Sequence, residues 1–122
     1  MHNFIAYQVA LKAVRQLAGC LTAIGAKDRD LERQMRRAAQ SILLNLAEGN
    51  RRRGKDRVHF FRIASGSAAE VLAGLDIAAA WGYVDESAAE PAGSCLITPV
   101  KAVARAEEGI SLMPITGRKK VS

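Results

Sequence analysis

Polar side chains at helical spacing are the first candidates for chemistry in this sequence. Four of them recur at intervals of four, four and three residues and so share one face of a helix: Arg37, Ser41, Asn45 and Glu48. A second polar set follows further along the chain: Ser65, Ser67 and Glu70. If the two sets face each other, Glu48 and Glu70 form a pair of carboxylates of the kind that general acid–base catalysis uses.

A hydrogen-bonded polar layer is the other interpretation of these residues, and the one that we favour. Such a layer fixes the register and pairing of helices. A carboxylate between packed helices loses its hydration, so it needs a partner or becomes neutral. Arg37 or Arg36 is the natural partner for Glu70. The predicted layer has these members: Arg37, Ser41, Asn45, Glu48, Ser67 and Glu70.

The sequence lacks the patterns of common metal and nucleophile sites. Its cysteines and histidines, Cys20, Cys95, His2 and His59, do not have metal-ligand spacing. The Glu-x-x-His pattern of di-iron bundles is absent after both Glu48 and Glu70. No glycine-rich phosphate loop or strand-to-helix nucleophile elbow occurs. We therefore predict a protein that is not an enzyme and that has no catalytic residue, metal or cofactor.

A basic cluster is the strongest functional signal. Five cations fall within seven residues: Arg51, Arg52, Arg53, Lys55 and Arg57. Arg33 and Arg36 precede the cluster, and the whole chain has a net charge of +6. Such density exceeds the needs of solubility, and contact with phosphate is its most direct use. We predict backbone-directed binding of RNA or DNA by these residues; the alternative is a solvated turn between helices.

The elements that must position these residues are helices. Apolar periodicity predicts them over about 4–25, 29–48, 55–81 and 94–112, in an all-α, antiparallel up-down four-helix bundle. We expect Gly25, Gly49 with Asn50, and Gly82 to end the first three helices. Asp28 or Asp30 is expected to cap the second. The start of the fourth helix is the least determined boundary, because Pro91, Gly93 and Pro99 interrupt the pattern.

Helix one carries two apolar stripes where a bundle seam needs one. The first comprises Ile5, Val9, Ala13, Leu17, Cys20 and Ile24, and the second Phe4, Tyr7, Leu11, Val14, Ala18 and Leu21. The second stripe indicates either a surface for another subunit or a broadly buried helix within one monomer. Helix three also has two stripes. The first is Phe61, Ala64, Ala68, Val71, Leu75 and Ala78, and the second is Phe60, Ile63, Ser67, Glu70, Gly74, Ile77 and Trp81.

Length and composition favour one domain. The 122 residues are assigned to a bundle domain over 1–116 and a basic tail over 117–122. No uninterrupted apolar run reaches the roughly 18 residues of a membrane helix, so we expect no membrane association. Two free cysteines fit a reducing cytoplasm. The predicted localisation is cytoplasmic.

A sequence motif in the middle of the chain resembles that of a known family. The residues are Arg36-Arg37-Ala38, Ser41-Ile42 and Asn45-Leu46-Ala47-Glu48-Gly49, followed by Ile63-Ala64-Ser65-Gly66-Ser67 and Glu70. They resemble the bacterial four helix bundle protein family, whose members include proteins encoded in intervening sequences of 23S rRNA genes. The accessory variability determinant proteins of diversity-generating retroelements are similar. The likeness is close over about 31–84.

This resemblance implies a four-helix bundle, a ring-shaped homopentamer, and a basic surface that binds nucleic acid or a reverse transcriptase. It carries over no catalytic residue. The chain departs from the family pattern after Asp85, at the residues that interrupt the fourth helix. The leading hypothesis is a non-catalytic, oligomeric nucleic-acid-binding accessory of a ribosomal or retroelement system. The alternative is a protein-interaction scaffold whose basic turn docks an acidic protein.

Overall fold

The described part of the chain is all-helical. The computed structural model describes residues 4–87 together with 100 and 105, and it forms three long helices there: α1 (Ile5–Lys27), α2 (Arg29–Arg51) and α3 (Gly54–Ala80). No strand occurs within these ranges. The all-α class is confirmed. The predicted helix over 94–112, apart from Val100 and Arg105, and the predicted tail over 117–122 lie outside the described residues.

Helix α1 passes through Gly25 and ends two residues later, so the predicted stop at Gly25 is wrong. Gly25 lies against Glu32 of α2, where an added Cβ would approach the Glu32 carboxyl carbon to 2.9 Å. The residue therefore contacts the Glu32 side chain and does not supply a positive φ. Asp28 follows, and its backbone N–H donates to the Ile24 carbonyl.

The buried stripe of α1 lies between the two that we predicted. It consists of Ala6, Ala10, Ala13, Leu17, Leu21 and Ile24. Ile5 and Val9 of the first predicted stripe are exposed, which corrects that assignment. In the second stripe Tyr7 and Val14 are half-buried and pack against the core, whereas Ala18 is exposed. The monomer thus covers one stripe fully and a neighbouring line only in part.

Helix α2 begins at a side-chain cap and runs three residues beyond the predicted end. The Asp28 carboxylate accepts a hydrogen bond from the Leu31 backbone N–H at 3.0 Å, as an N-cap does. The predicted stop at Gly49 and Asn50 is wrong, because Gly49 is helical and buried. An added Cβ at Gly49 would lie 2.5 Å from the Phe61 ring. This glycine leaves room for the Phe61 ring of α3 against α2.

Helix α3 is bounded by two glycines with positive φ, Gly54 at +59° and Gly82 at +77°. The predicted end at Gly82 is confirmed. Its first predicted apolar stripe, from Phe61 to Ala78, is buried throughout. The second stripe is different, since only Ser67 and Gly74 are buried. Its larger members, such as Ile77 and Trp81, are exposed.

The three helices enclose one core. Helices α2 and α3 pack along each other and α1 packs on α2. Phe4, just before α1, stacks on Phe61 with ring centroids 5.8 Å apart. Val100 is also buried in this core. Two helices, Ile5–Lys27 and Gly54–Ala80, are long and apolar enough to cross a membrane by length and composition, a property that core helices of water-soluble proteins share.

Candidate nucleic-acid interface

The basic cluster lies on the short connection between α2 and α3. Arg51 is the last residue of α2, Arg52 and Arg53 have extended backbones, and α3 starts at once at Gly54. The positive φ of Gly54 makes this abrupt reversal feasible without strain. Because the connection is so short, its cations are confined to one end of the helix pair.

Glu48 holds two of the predicted phosphate contacts. Its carboxylate accepts hydrogen bonds from Arg51 at 2.9 Å and from Arg52 at 2.7 Å. These bonds, first from Arg52 and then from Arg51, lower the pKa of Glu48. Arg52 also lies 3.6 Å from the Asp56 carboxylate. Both arginines remain exposed, but their guanidinium groups already have partners.

Arg57, the last cation of the cluster, makes contacts within the protein that join α2 and α3. Its guanidinium donates to the backbone carbonyls of Gly49 at 3.3 Å and Asn50 at 3.2 Å, which lie in the last turn of α2. The same group lies 5.0 Å from the centroid of the buried Phe61 ring, a cation–π distance. Arg57 therefore ties α3 to the C-terminal end of α2.

Arg53 and Lys55 are the cations of the turn with the fewest constraints. Both are exposed, and neither forms an ion pair within the described part of the chain. The first turn of α3 has no side-chain cap, so its backbone N–H groups are also available. Five cations against the carboxylates of Glu48 and Asp56 leave three net positive charges at this end.

Arg33 and Arg36 lie away from the turn. Arg33 is 18 residues before Arg51 on the same helix, which corresponds to about 27 Å at 1.5 Å per residue. Arg36 is bound to Glu32 at 2.6 Å. Both are exposed. The structure thus separates these two predicted contacts from the other five.

Three members of the predicted polar layer meet between α2 and α3. The hydroxyl groups of Ser41 and Ser67 are 2.7 Å apart. The Asn45 amide donates to the Ser41 carbonyl at 2.8 Å and to its hydroxyl at 3.0 Å. Ser67 is buried. We call this set, Ser41, Asn45 and Ser67, the polar seam.

The other members lie outside the seam. The prediction that an arginine of α2 holds Glu70 in a buried pair is wrong. Both Arg37 and Glu70 are exposed, and neither forms an ion pair with a described residue. They border the same surface groove without bonding each other. Glu70 needs no arginine partner because it lies beside the buried stripe of α3, where its carboxylate remains hydrated.

The structure does not bring Glu48 and Glu70 together as a catalytic pair. Glu70 borders the groove beside Arg37, whereas Glu48 lies eleven residues further along α2, about 16 Å away. Within the described ranges no group of three or more His, Cys, Asp or Glu side chains could hold a metal ion. The paired-carboxylate hypothesis is therefore wrong.

Sequence reasoning missed two contacts that shape the ends of the bundle. One is the contact of Arg57 with the Gly49 and Asn50 carbonyls, for which an arginine in the first turns of the helix that follows a very short connection is the available signal. The other joins the far end, where the Tyr83 hydroxyl donates to Asp28 at 3.4 Å. Burial and the neighbouring Asp28 carboxylate raise the pKa of Tyr83.

The comparison with protein families decides the family of the chain. A family model described as 23S rRNA-intervening sequence protein matches residues 2–98. The chain belongs to this family. No curated protein matches the chain by sequence.

The matched range includes all three helices, the polar seam and the basic turn. The turn therefore lies within the part of the chain that matches the 23S rRNA-intervening sequence protein family. The family resemblance inferred from the central motif is confirmed.

Proposed function

We propose that this protein is a non-catalytic, cytoplasmic, homo-oligomeric nucleic-acid-binding accessory protein that contacts the phosphate backbone through the basic turn. The observation that carries the proposal is the excess of cations there. Arg53 and Lys55 are exposed without ion pairs within the described part of the chain. They flank the uncapped start of α3, whose positive dipole end and free N–H groups favour anions.

The surroundings of the turn favour binding to phosphate over reading of bases. Base stacking needs an exposed aromatic ring. Phe61 is buried, and Phe60 is half-buried, with the Arg52 guanidinium 5.2 Å from its centroid. Of the aromatic residues that the structure describes beside the turn, His59 is the exposed one. Contacts limited to phosphate position a protein on nucleic acid but carry little sequence information.

The family description supports an RNA-related role. The name of the matched family refers to a sequence within 23S rRNA, which makes ribosomal RNA the first ligand to test. The resemblance to retroelement accessory proteins makes a reverse transcriptase a further partner to test. Neither role requires catalysis, and the paired-carboxylate arrangement that catalysis would use is not formed.

We further propose that the chain completes a four-helix bundle with a helix over about 94–112. Val100 and Arg105 are helical, and Val100 is 1% exposed in the core of the three described helices. The burial of Val100 supports the packing of a fourth helix on the other three. The exposed apolar side chains of α1 and α3 support the proposed homo-oligomer, and the family resemblance implies five copies.

The test of the turn compares two double variants that remove equal charge. In the first, Arg53→Ala with Lys55→Ala, we expect weaker binding to random-sequence RNA and to duplex DNA alike. The log–log salt slope should fall by about 0.7–0.9 for each phosphate that the variant no longer neutralises. The control is Lys27→Ala with Arg29→Ala, at the opposite end of the bundle, where both side chains are exposed. Fluorescence anisotropy at several salt concentrations measures both effects.

Equal losses in the two double variants would show a diffuse charge effect and contradict the turn as the contact. A parent protein that binds neither RNA nor duplex DNA at low salt would contradict the nucleic-acid proposal itself. The acidic-protein scaffold would then be the function to pursue.

A further inference from the structure

A line of exposed side chains continues from the basic turn along α3. Lys55, His59 and Arg62 follow one another at intervals of four and three residues, so they share one face of the helix. All three are exposed, and the imidazole of His59 lies between the two cations. The line spans about 10 Å of the helix axis at 1.5 Å per residue. We call this set, Lys55, His59 and Arg62, the α3 track.

The surroundings of the α3 track leave it accessible to an anionic chain. Of the residues 54–62, Asp56 alone is acidic, and its carboxylate lies 3.6 Å from the Arg52 guanidinium. Gly66 and Ala69 continue the same line beyond Arg62, and both are exposed and too small to obstruct a strand that lies along it. The track therefore extends the cationic surface of the turn along the outside of the bundle.

Phe60 holds the imidazole of His59 in place. The two ring centroids are 5.3 Å apart, and the ring planes meet at 69°, an edge-to-face contact. Phe60 itself packs against the end of α2, since its Cβ lies 3.3 Å from the position that a Cβ on Gly49 would occupy. The Arg52 guanidinium lies 5.2 Å from the centroid of the Phe60 ring. Because Phe60 is not stacked on His59, at least one face of the imidazole remains uncovered.

We infer that His59 is a stacking platform for one unpaired base of single-stranded RNA, and that Lys55 and Arg62 bind the phosphates on either side of this base. Unpaired bases in RNA stack on aromatic side chains, histidine included. Proteins that bind single strands combine such rings with cations that follow the backbone. The 10 Å between the two cations corresponds to about three nucleotides at a rise of 3.4 Å.

This inference rests on the proposed function and names the form of nucleic acid that the interface prefers. In a duplex each base is stacked between its neighbours, so its faces are not available to His59, and only the phosphate contacts of the turn remain. An unpaired segment gains the stacking contact in addition. Every base has a π face, so the preference for single strands comes with little preference for sequence.

Removal of the ring tests the inference in the full chain. Three labelled ligands of equal length separate the contributions: an oligouridylate, an RNA duplex, and a strand whose sugars carry no bases. His59→Ala should bind the oligouridylate at least about five-fold more weakly than the parent, the usual loss for one stacked base. Its affinity for the duplex and for the base-free strand should equal that of the parent. Fluorescence anisotropy measures all three, and circular dichroism checks that the variant is helical.

Two further substitutions at the same position separate stacking from the other properties of an imidazole. His59→Phe keeps an aromatic ring without hydrogen-bonding nitrogens, and it should restore the affinity for the oligouridylate. His59→Gln keeps hydrogen-bonding capacity without a ring, and it should lose affinity as His59→Ala does.

The cation of the track has a different signature. Arg62→Ala should lower the log–log salt slope for the oligouridylate by about 0.7, the value for one phosphate of a single strand, whereas His59→Ala should leave the slope unchanged. Arg15→Ala, on the exposed side of α1, is the matched control and should keep the parent slope.

The outcomes that contradict this inference are separate from those that contradict the proposed function. Equal affinity of the parent and His59→Ala for the oligouridylate overturns the stacking platform, and so does an equal loss on all three ligands or a loss that His59→Phe does not restore. If Arg53→Ala with Lys55→Ala still weakens the binding of RNA and duplex DNA, the proposed function stands. A parent protein that binds none of these ligands at low salt overturns both.

Discussion

The polar seam and the basic turn are both polar regions between α2 and α3, and they differ in how far their groups are satisfied. In the seam, Ser41, Asn45 and Ser67 use one another as partners at 2.7–3.0 Å. In the turn, cations outnumber the carboxylates that hold them, and Arg53 and Lys55 form no ion pair in the described ranges. Satisfied groups fix a structure, whereas a surplus of one charge is available to a ligand.

A glycine at the junction between the two regions gives the largest expected effect. In Gly49→Ala the added Cβ would lie 2.5 Å from the Phe61 ring, so the two helices must move apart. We expect a loss of about 1–3 kcal/mol in the free energy of unfolding, the usual cost of overpacking a core. Gly66→Ala is the control, because that position has open space within 4 Å. It should gain about 0.5–1 kcal/mol from helix propensity.

Urea denaturation measures both free energies. If Gly49→Ala is as stable as the parent, α2 and α3 are not in close contact at this point. The contact between Gly49 and Phe61 would then not limit how closely the two helices pack.

Removal of a seam hydroxyl should have a smaller effect. In Ser67→Ala the Ser41 hydroxyl loses its partner across the helices, but it still accepts from Asn45. We expect a loss of about 1 kcal/mol in the free energy of unfolding, the net value of one such bond. The matched control is Ser65→Ala, two residues away and half-buried, which should stay within about 0.5 kcal/mol of the parent.

Thermal and urea denaturation can compare the two serine variants directly. Equal stability would mean that Ser67 contributes no more than an ordinary helix residue, and the distinction between seam and turn would lose its energetic basis. Binding of RNA should be unchanged in both variants.

The sequence determined the helices better than their ends or their polar contacts. The first apolar stripe of α3 and the turn at Gly82 follow from local rules, namely helical period and a positive φ. Gly25 and Gly49 failed as stops because a glycine that contacts another helix is identical in sequence to a glycine that ends one. The distinction depends on Glu32 and Phe61, which only the packing brings near.

The candidate site shows the same limit. Spacing alone placed Arg37, Glu48 and Glu70 in one layer, since it gives the face of a helix but not the depth of each side chain. Glu48 instead turns toward Arg51 and Arg52, which follow it by three and four residues. Helical spacing of opposite charges is visible in the sequence and favours this local pairing. Glu48 thus binds arginines that are close in sequence and not a residue of the neighbouring helix.

Glu48→Gln should have the smallest effect on stability. It should also increase the affinity for RNA. The amide removes the charge that holds Arg51 and Arg52, so the turn gains one net positive charge and two mobile guanidinium groups. We expect several-fold tighter binding of RNA at low salt and a steeper salt slope, by about 0.7–0.9 for each additional phosphate that the variant neutralises. Glu86→Gln is the control, because it removes the same charge from an exposed residue beyond α3.

The affinity of the parent protein for RNA should also depend on pH. The two arginines lower the pKa of Glu48 below its ordinary value of 4.5, so the carboxylate contributes stability above pH 4.5 that is lost as the pH falls through the lowered pKa. In the parent, acid should release Arg51 and Arg52 and raise affinity for phosphate, whereas Glu48→Gln should lack this rise. Anisotropy titrations from neutral pH down through the lowered pKa would show it. A variant that binds like the parent at every pH would mean that Glu48 does not restrain the turn.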